Sequence, residues 1–276
     1  IGRLGHMTPI LVTAVSYPMS HKFRTGVTLA LFSLVVFTLT VMSVIMGTVN
    51  GFYEDTDRLA GGYDVFATVS YNNPVPDMRQ ALARIPGLED GDVIDIAGQT
   101  ELPLEVRQVG ASKQTWEPLR LNVQDDAFLG GTEYRISTKA ESYETHSSIW
   151  EAVRDNPGYA VIDALMVPQK NQLSFGETGV NFEVEGVYRE DDTMKPFDLE
   201  VRDPLSGTVS KVTVIGVIDQ MTNCFGVYVS RHTFEAVVPV QLPVTTYMFK
   251  TRDGADNAAI ARSIEAGLME HGAQAD

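Results

Sequence analysis

The stretch "HKFRTGVTLALFSLVVFTLTVMSVIMGTVNGFYEDTD" (His21–Asp57) places two cations before a long uncharged run and a cluster of acids directly after it. From Thr25 to Tyr53, 29 residues pass without Asp, Glu, Lys, Arg or His. As a helix the run is roughly 44 Å long, against a hydrocarbon core of about 30 Å. It spans a bilayer with about two turns left over. A secretory leader has a much shorter apolar core, and the interior of a buried globular helix rarely stays charge-free for so many turns, so the run reads as a membrane span.

The flanks set its orientation, because Lys and Arg are retained on the cytoplasmic side. Arg3, Lys22 and Arg24 precede the run, and no acid comes before Glu54. The N-terminus is therefore expected inside and the chain from Glu54 onward outside. The whole chain carries a net charge of −15, and removing those three cations leaves −18 for residues 54–276. So acidic a domain is repelled by phosphate backbones, which argues against nucleic-acid binding. One cysteine, Cys224, permits no intrachain disulfide, so packing must hold the outer part together.

Before the span, "TPILVTAVSYPMS" (residues 8–20) reads either as a helix along the inner membrane face or as the tail of a preceding membrane helix. The start at Ile1 favours a fragment or a processed product. Within the span, Ala30, Ser33, Thr40, Ser43, Gly47, Asn50 and Gly51 share one side of a helical wheel. Small residues let membrane helices approach, and Gly47 and Gly51 have that spacing. Ser33, Thr40, Gly47 and Gly51 thus mark an expected face for other membrane helices, although an ordinary anchor with scattered small residues is the simpler alternative.

Beyond the span, Tyr63–Val69 alternates like a strand. "VPDMRQALARIPG" follows as a short helix with Pro76 in its first turn and Met78, Leu82 and Ile85 on one face. "DVIDIAGQTELPLEVRQV" is extended, with interruptions expected near Gly98 and Pro103. The far end repeats the pattern. A strand at Val244–Thr251 leads to a helix bearing Ile260, Ile264 and Leu268, with Gly272 past its end and a final strand from Gln274. Two β-α units separated by a long middle predict an α+β fold, a split ferredoxin-like lobe interrupted by a β-rich insertion. In that middle, "FDLEVRDPLSGTVSKVTVIGVI" is a hairpin turning at Asp203–Gly207, and "SIWEAVRD" is a helix in which Ser148 and Glu151 have capping-box spacing. The expected divisions are residues 1–24 as cytoplasmic or interfacial lead-in, 25–53 as span, 54–108 with 241–276 as the first lobe, and 109–240 as the insertion.

No motif supports catalysis. The five histidines, His6, His21, His146, His232 and His271, make no metal spacing, and Cys-x-x-Cys is absent. Asp90, Asp92 and Asp95, and the pair Asp125-Asp126, are the candidate cation ligands, but they lack the EF-hand pattern and read as solvated turn acids. "GASKQT" (residues 110–115) is no phosphate loop, there is no Gly-x-Ser-x-Gly, and Cys224 beside Phe225 and Val227 reads as a small core residue. No cofactor or metal is expected.

Tyr17–Ile45, "YPMSHKFRTGVTLALFSLVVFTLTVMSVI", resembles the cytoplasmic lead-in and first helix of a repeat in FtsX/MacB-type ABC transporter permeases. "LNVQDDAFLGGTEYRI", "GYAVIDALMV" and "KVTVIGVI" resemble segments of the extracytoplasmic domain that follows this helix in the larger members. The resemblance implies a non-catalytic permease component in the cell membrane, with a ferredoxin-like porter lobe and an inserted β-rich lobe outside. It implies a cytoplasmic ABC ATPase subunit as partner, together with other permease helices or a second protomer and an extracytoplasmic protein. In such permeases ATP-driven helix movement reaches the outer domains, as mechanotransmission, export or envelope-related transport. A stiff stalk would serve that purpose, with Asn50-Gly51 and Gly61-Gly62 as candidate hinges. The family carries several spans per protomer and this chain shows one, so the sequence reads as a fragment, the terminal strand at Asp276 being cut short. The alternative is a single-pass anchored domain that binds a ligand or another surface protein.

Overall fold

The computed structural model describes residues 22–54, 60–170, 182–219, 225–235 and 242–275. Arg3, His6, His21 and Cys224 lie outside them. Contacts divide the chain into residues 1–55 and 56–276. Among the described residues the first contains one helix, α1 (Lys22–Glu54, 33 residues), unbroken through Asn50 and Gly51. Its apolar side chains are uncovered along the described length, Phe32, Phe37 and Leu39 among them.

Residues 56–276 build a mixed sheet on strands β1 (Val65–Thr68), β2 (Val93–Gln108), β3 (Glu117–Gln124), β4 (Ile136–Ala140), β5 (Tyr159–Asp163), β6 (Thr193–Met194), β7 (Phe197–Arg202), β8 (Val209–Ile218), β9 (Val227–Ser230), β10 (Thr246–Thr251) and β11 (Gln274–Ala275). The order is β11-β1-β10-β2-β3-β9-β5-β8-β4-β6, with β7 bridging β2 and β8. Strand β5 runs parallel to β8 and antiparallel to β9, and β3 runs parallel to β9. All four residues of β9 are buried, as a strand covered on both faces requires. Helices α2 (Met78–Leu82), α3 (Asp126–Gly131), α4 (His146–Asp155), α5 (Arg231–Glu235) and α6 (Asn257–Gly267) complete the α+β class.

At one end, β11, β1, β10 and β2 are successive antiparallel neighbours, and Met78, Leu82, Ile85, Ile260, Ile264 and Leu268 pack with Val65, Ala67 and Phe249 in one core. The four-residue recurrence predicted for α6 is thus its buried stripe. Asp77 rather than Pro76 starts α2: its carboxylate accepts the Gln80 N–H, and Pro76 lies before the helix. Thr145, not Ser148, caps α4, because the Thr145 hydroxyl accepts the Ser148 N–H while Ser148 Oγ lies 3.3 Å from the Thr145 amide. The predicted hairpin forms, with Phe197 opposite Val214 and Arg202 opposite Val209.

The expected interruptions at Gly98 and Pro103 do not occur, since β2 is one strand of 16 residues that changes partners. Residues 93–99 pair with β10, 99–106 with β3, and 105–108 with β7. The Gln99 carbonyl accepts the Thr245 N–H, and the Val109 N–H donates to Asp198, so odd-numbered backbone groups of β2 face the β10/β7 side. Pro103 is odd and falls between the end of β10 pairing and the start of β7 pairing. Its missing N–H removes a donor that no described strand would have met, which is why a proline is tolerated here.

Candidate functional site

Lys22–Gly47 is long and apolar enough to cross a membrane. Lys22 and Arg24 are exposed at its start, and Ser33, Thr40 and Gly47 are exposed along it; Gly51 falls in its last turns, where side chains are outside the described residues. The hydroxyls of Thr28, Thr38 and Thr40 donate to the carbonyls of Arg24, Leu34 and Val36, so these polar atoms need no water.

Near the start of the described outer unit, Gly61 and Gly62 are placed together in left-handed backbone (φ +60° and +87°), and the Gly61 carbonyl accepts the Glu133 N–H at 2.8 Å. Tyr63 follows them into an aromatic cluster. Its ring stacks on Phe128 (centroids 6.1 Å apart), Phe128 meets Trp150 edge-on at 5.8 Å, and Trp150 meets Tyr228 at 6.4 Å. Trp150 Nε1 donates to the Tyr134 carbonyl at 2.9 Å, so the cluster buries its indole without an orphaned donor. Burial, then the Asp95 and Asp125 carboxylates, hold the Tyr63 phenol above its ordinary pKa.

The candidate acids do not converge. Among the described residues no group of three or more His, Cys, Asp or Glu could hold a metal ion. Asp92 is buried rather than solvated, paired with Arg252 Nε at 2.9 Å, and that bond holds its carboxyl below the usual range. Asp95 lies 3.8 Å from Arg79. Asp125 caps α3 by accepting the Phe128 N–H, and burial pushes its pKa up. Asp126 is 3.5 Å from His232. Sequence spacing missed the most buried acid, Asp163, which accepts the Leu165 and Gly226 N–H groups at 2.7 and 2.5 Å and is raised by burial. Asp92, Asp95, Asp125, Asp126 and Asp163 each have a structural partner.

A groove of about 390 Å³ opens beside the stretch of β2 that, among the described residues, pairs on one side only, with β3. Leu102, Leu104 and Leu121 line it, with Val201 and Val212 from the hairpin and Phe234 and Leu242 opposite. Its charged lining residue, Asp203, is committed to the hairpin turn: it accepts from Ser206 Oγ and the Leu205 N–H, which lower its pKa. The groove can take an apolar group and, among the described residues, offers no acid–base pair.

No family model matches the chain, and no curated protein matches it. Among solved structures it is similar to the extracellular domain of the noncanonic ABC-type transporter YknZ from Gram-positive bacteria, at 11% identity over 77% of this chain and 97% of that one (TM-score 0.38). It is also similar to the periplasmic region of MacB from Actinobacillus actinomycetemcomitans, at 10% identity over 82% and 93% (TM-score 0.43). A third is a domain of a permease protein from Porphyromonas gingivalis, at 9% identity over 76% and 85% (TM-score 0.36).

Proposed function

We propose that this chain is the non-catalytic permease component of an ABC transporter, in which α1 crosses the cell membrane with its N-terminus inside and carries residues 54–276 outside. The observation that carries the reading is the continuity of α1. Its 33 residues correspond to roughly 50 Å, so about 20 Å of helix extends past the hydrocarbon core without a break at Asn50-Gly51. A helix of that kind passes a displacement outward where a flexible tether would absorb it. ATP hydrolysis is assigned to a separate cytoplasmic subunit. The stripe of Ser33, Thr40, Gly47 and Gly51 is assigned to contact with other permease helices or a second protomer. The antiparallel order β11-β1-β10-β2, with α2 and α6 packed in its core, supports reading residues 54–108 and 241–276 as a split ferredoxin-like porter lobe, with 109–240 inserted.

The test is to isolate the native protein from its own membranes with an antibody to the outer domain and identify its companions by mass spectrometry. The reading expects an ATP-binding subunit and peptides with further membrane spans. A single-pass chain recovered without an ATPase would leave a second reading, an anchored binding domain, which the apolar groove beside β2 favours.

A further inference from the structure

We infer that Gly61-Gly62 is a fixed joint within the outer unit, at the start of its described residues, and not a hinge, with Glu133 and Tyr134 as the residues that fix it. The inference deepens the permease reading and rests on it for its mechanical meaning.

Glycines serve as hinges where their surroundings are open. Gly91, Gly110 and Gly207 have positive φ, and a Cβ added to any of them meets nothing within 4 Å. Gly61 and Gly62 are different. A Cβ on Gly61 would lie 2.5 Å from Tyr134 Cε1, and one on Gly62 would lie 2.8 Å from Glu133 Cδ. The absence of a side chain is used here for close approach, not for freedom. Around the pair the backbone is tied on both sides. The Glu133 N–H donates to Gly61 O at 2.8 Å, the Tyr63 N–H to Ala60 O at 3.2 Å, and the Asp64 N–H to Phe249 O at 2.8 Å. Asp64 Oδ2 accepts the Thr251 N–H at 2.8 Å, and Lys250 Nζ lies 3.3 Å from Glu133 Oε1.

Tyr63 is 3% exposed and stacks on Phe128, whose ring also meets Tyr134 at 5.9 Å. Within four residues of Ala60, the chain is therefore bonded to the Glu133 loop and to β10, and seated in the aromatic core. A displacement arriving at Ala60 would reach that core without an intervening soft element.

Hydrogen exchange on the full chain in lipid nanodiscs tests this directly. The amides of Tyr63, Asp64 and Glu133 should exchange as slowly as those paired between β1 and β10. Gly61→Ala should speed exchange across residues 60–66 and 130–136 about tenfold, the equivalent of a left-handed cost of about 1–2 kcal/mol, while β5 and β8 stay unchanged. If that variant does not fold, Tyr134→Leu, which removes the ring edge and keeps an apolar side chain, should also speed exchange at 60–66. Fast exchange at Tyr63 and Asp64 in the unaltered chain, or no response to either variant, would make the pair a hinge and overturn the inference. The readout needs no ATPase, so the absence of an ATPase companion would sink the permease reading while leaving the joint standing.

Discussion

Two regions of the outer unit treat apolar surface in opposite ways. Around Trp150 the sheet is sealed with interlocking rings, and Trp150 itself is 2% exposed. Beside the open stretch of β2, aliphatic side chains of similar hydrophobicity line a groove that is left unfilled. The aromatic region holds Tyr63, directly after the Gly61-Gly62 pair, by stacking on Phe128. Among the described residues the groove lies beside the part of β2 that has no strand on its β10/β7 side. In the proposed account the first region receives movement and the second is free to meet a partner.

The sharpest way to break this comparison is to empty the sealed core. Trp150→Ala should lose about 3–5 kcal/mol of stability in urea unfolding, because the ring contacts and the bond to Tyr134 go together. Asp163→Asn comes next. It keeps one acceptor but presents an amide to the Gly226 N–H, and a loss of about 1–3 kcal/mol is expected.

The same residue gives a pH signature. Burial raises the Asp163 pKa in the folded state, so in the window above its ordinary value near 3.8 the folded chain binds more protons than the unfolded one. This group's contribution should fall as pH rises through that window, and thermal melts of Asp163→Asn should lack that component. Asp92 should behave oppositely: its lowered pKa makes the Arg252 pair stabilising above the unfolded value and lost as pH falls through the folded one. The smallest effect is expected at the groove. Ser210→Trp places a ring on a half-exposed lining position and should change stability by less than about 1 kcal/mol, whereas a comparable cost to Trp150→Ala would mean the groove is core.

Local features were legible in the chain. The uncharged run, the Asp203–Gly207 turn and the spacing of Ile260, Ile264 and Leu268 are each set by neighbours within a few residues, and the α+β class followed from them. What sequence reading missed depends on distant partners. Pro103 reads as a strand break because its tolerance depends on where β10 pairing ends and β7 pairing begins. Asp92 reads as solvated because Arg252 is 160 positions away. Ser148 reads as a cap because Glu151 completes the right spacing, and only the Thr145 backbone decides between them. At Gly61 the sequence does not reveal that Tyr134 occupies the space a side chain would need. The aromatic cluster and the groove draw on residues too scattered for any periodicity to collect.

The most direct measurement is the distance between outer domains in the complex isolated from membranes and reconstituted in nanodiscs. A nitroxide at Leu205→Cys, on the exposed hairpin turn in a Cys224→Ser background, would report the spacing between two copies of the chain. The account predicts that the distance distribution shifts between nucleotide-free and ATP-trapped states. Superimposable distributions in a complex that hydrolyses ATP would contradict the claim that movement at the membrane reaches the outer domain.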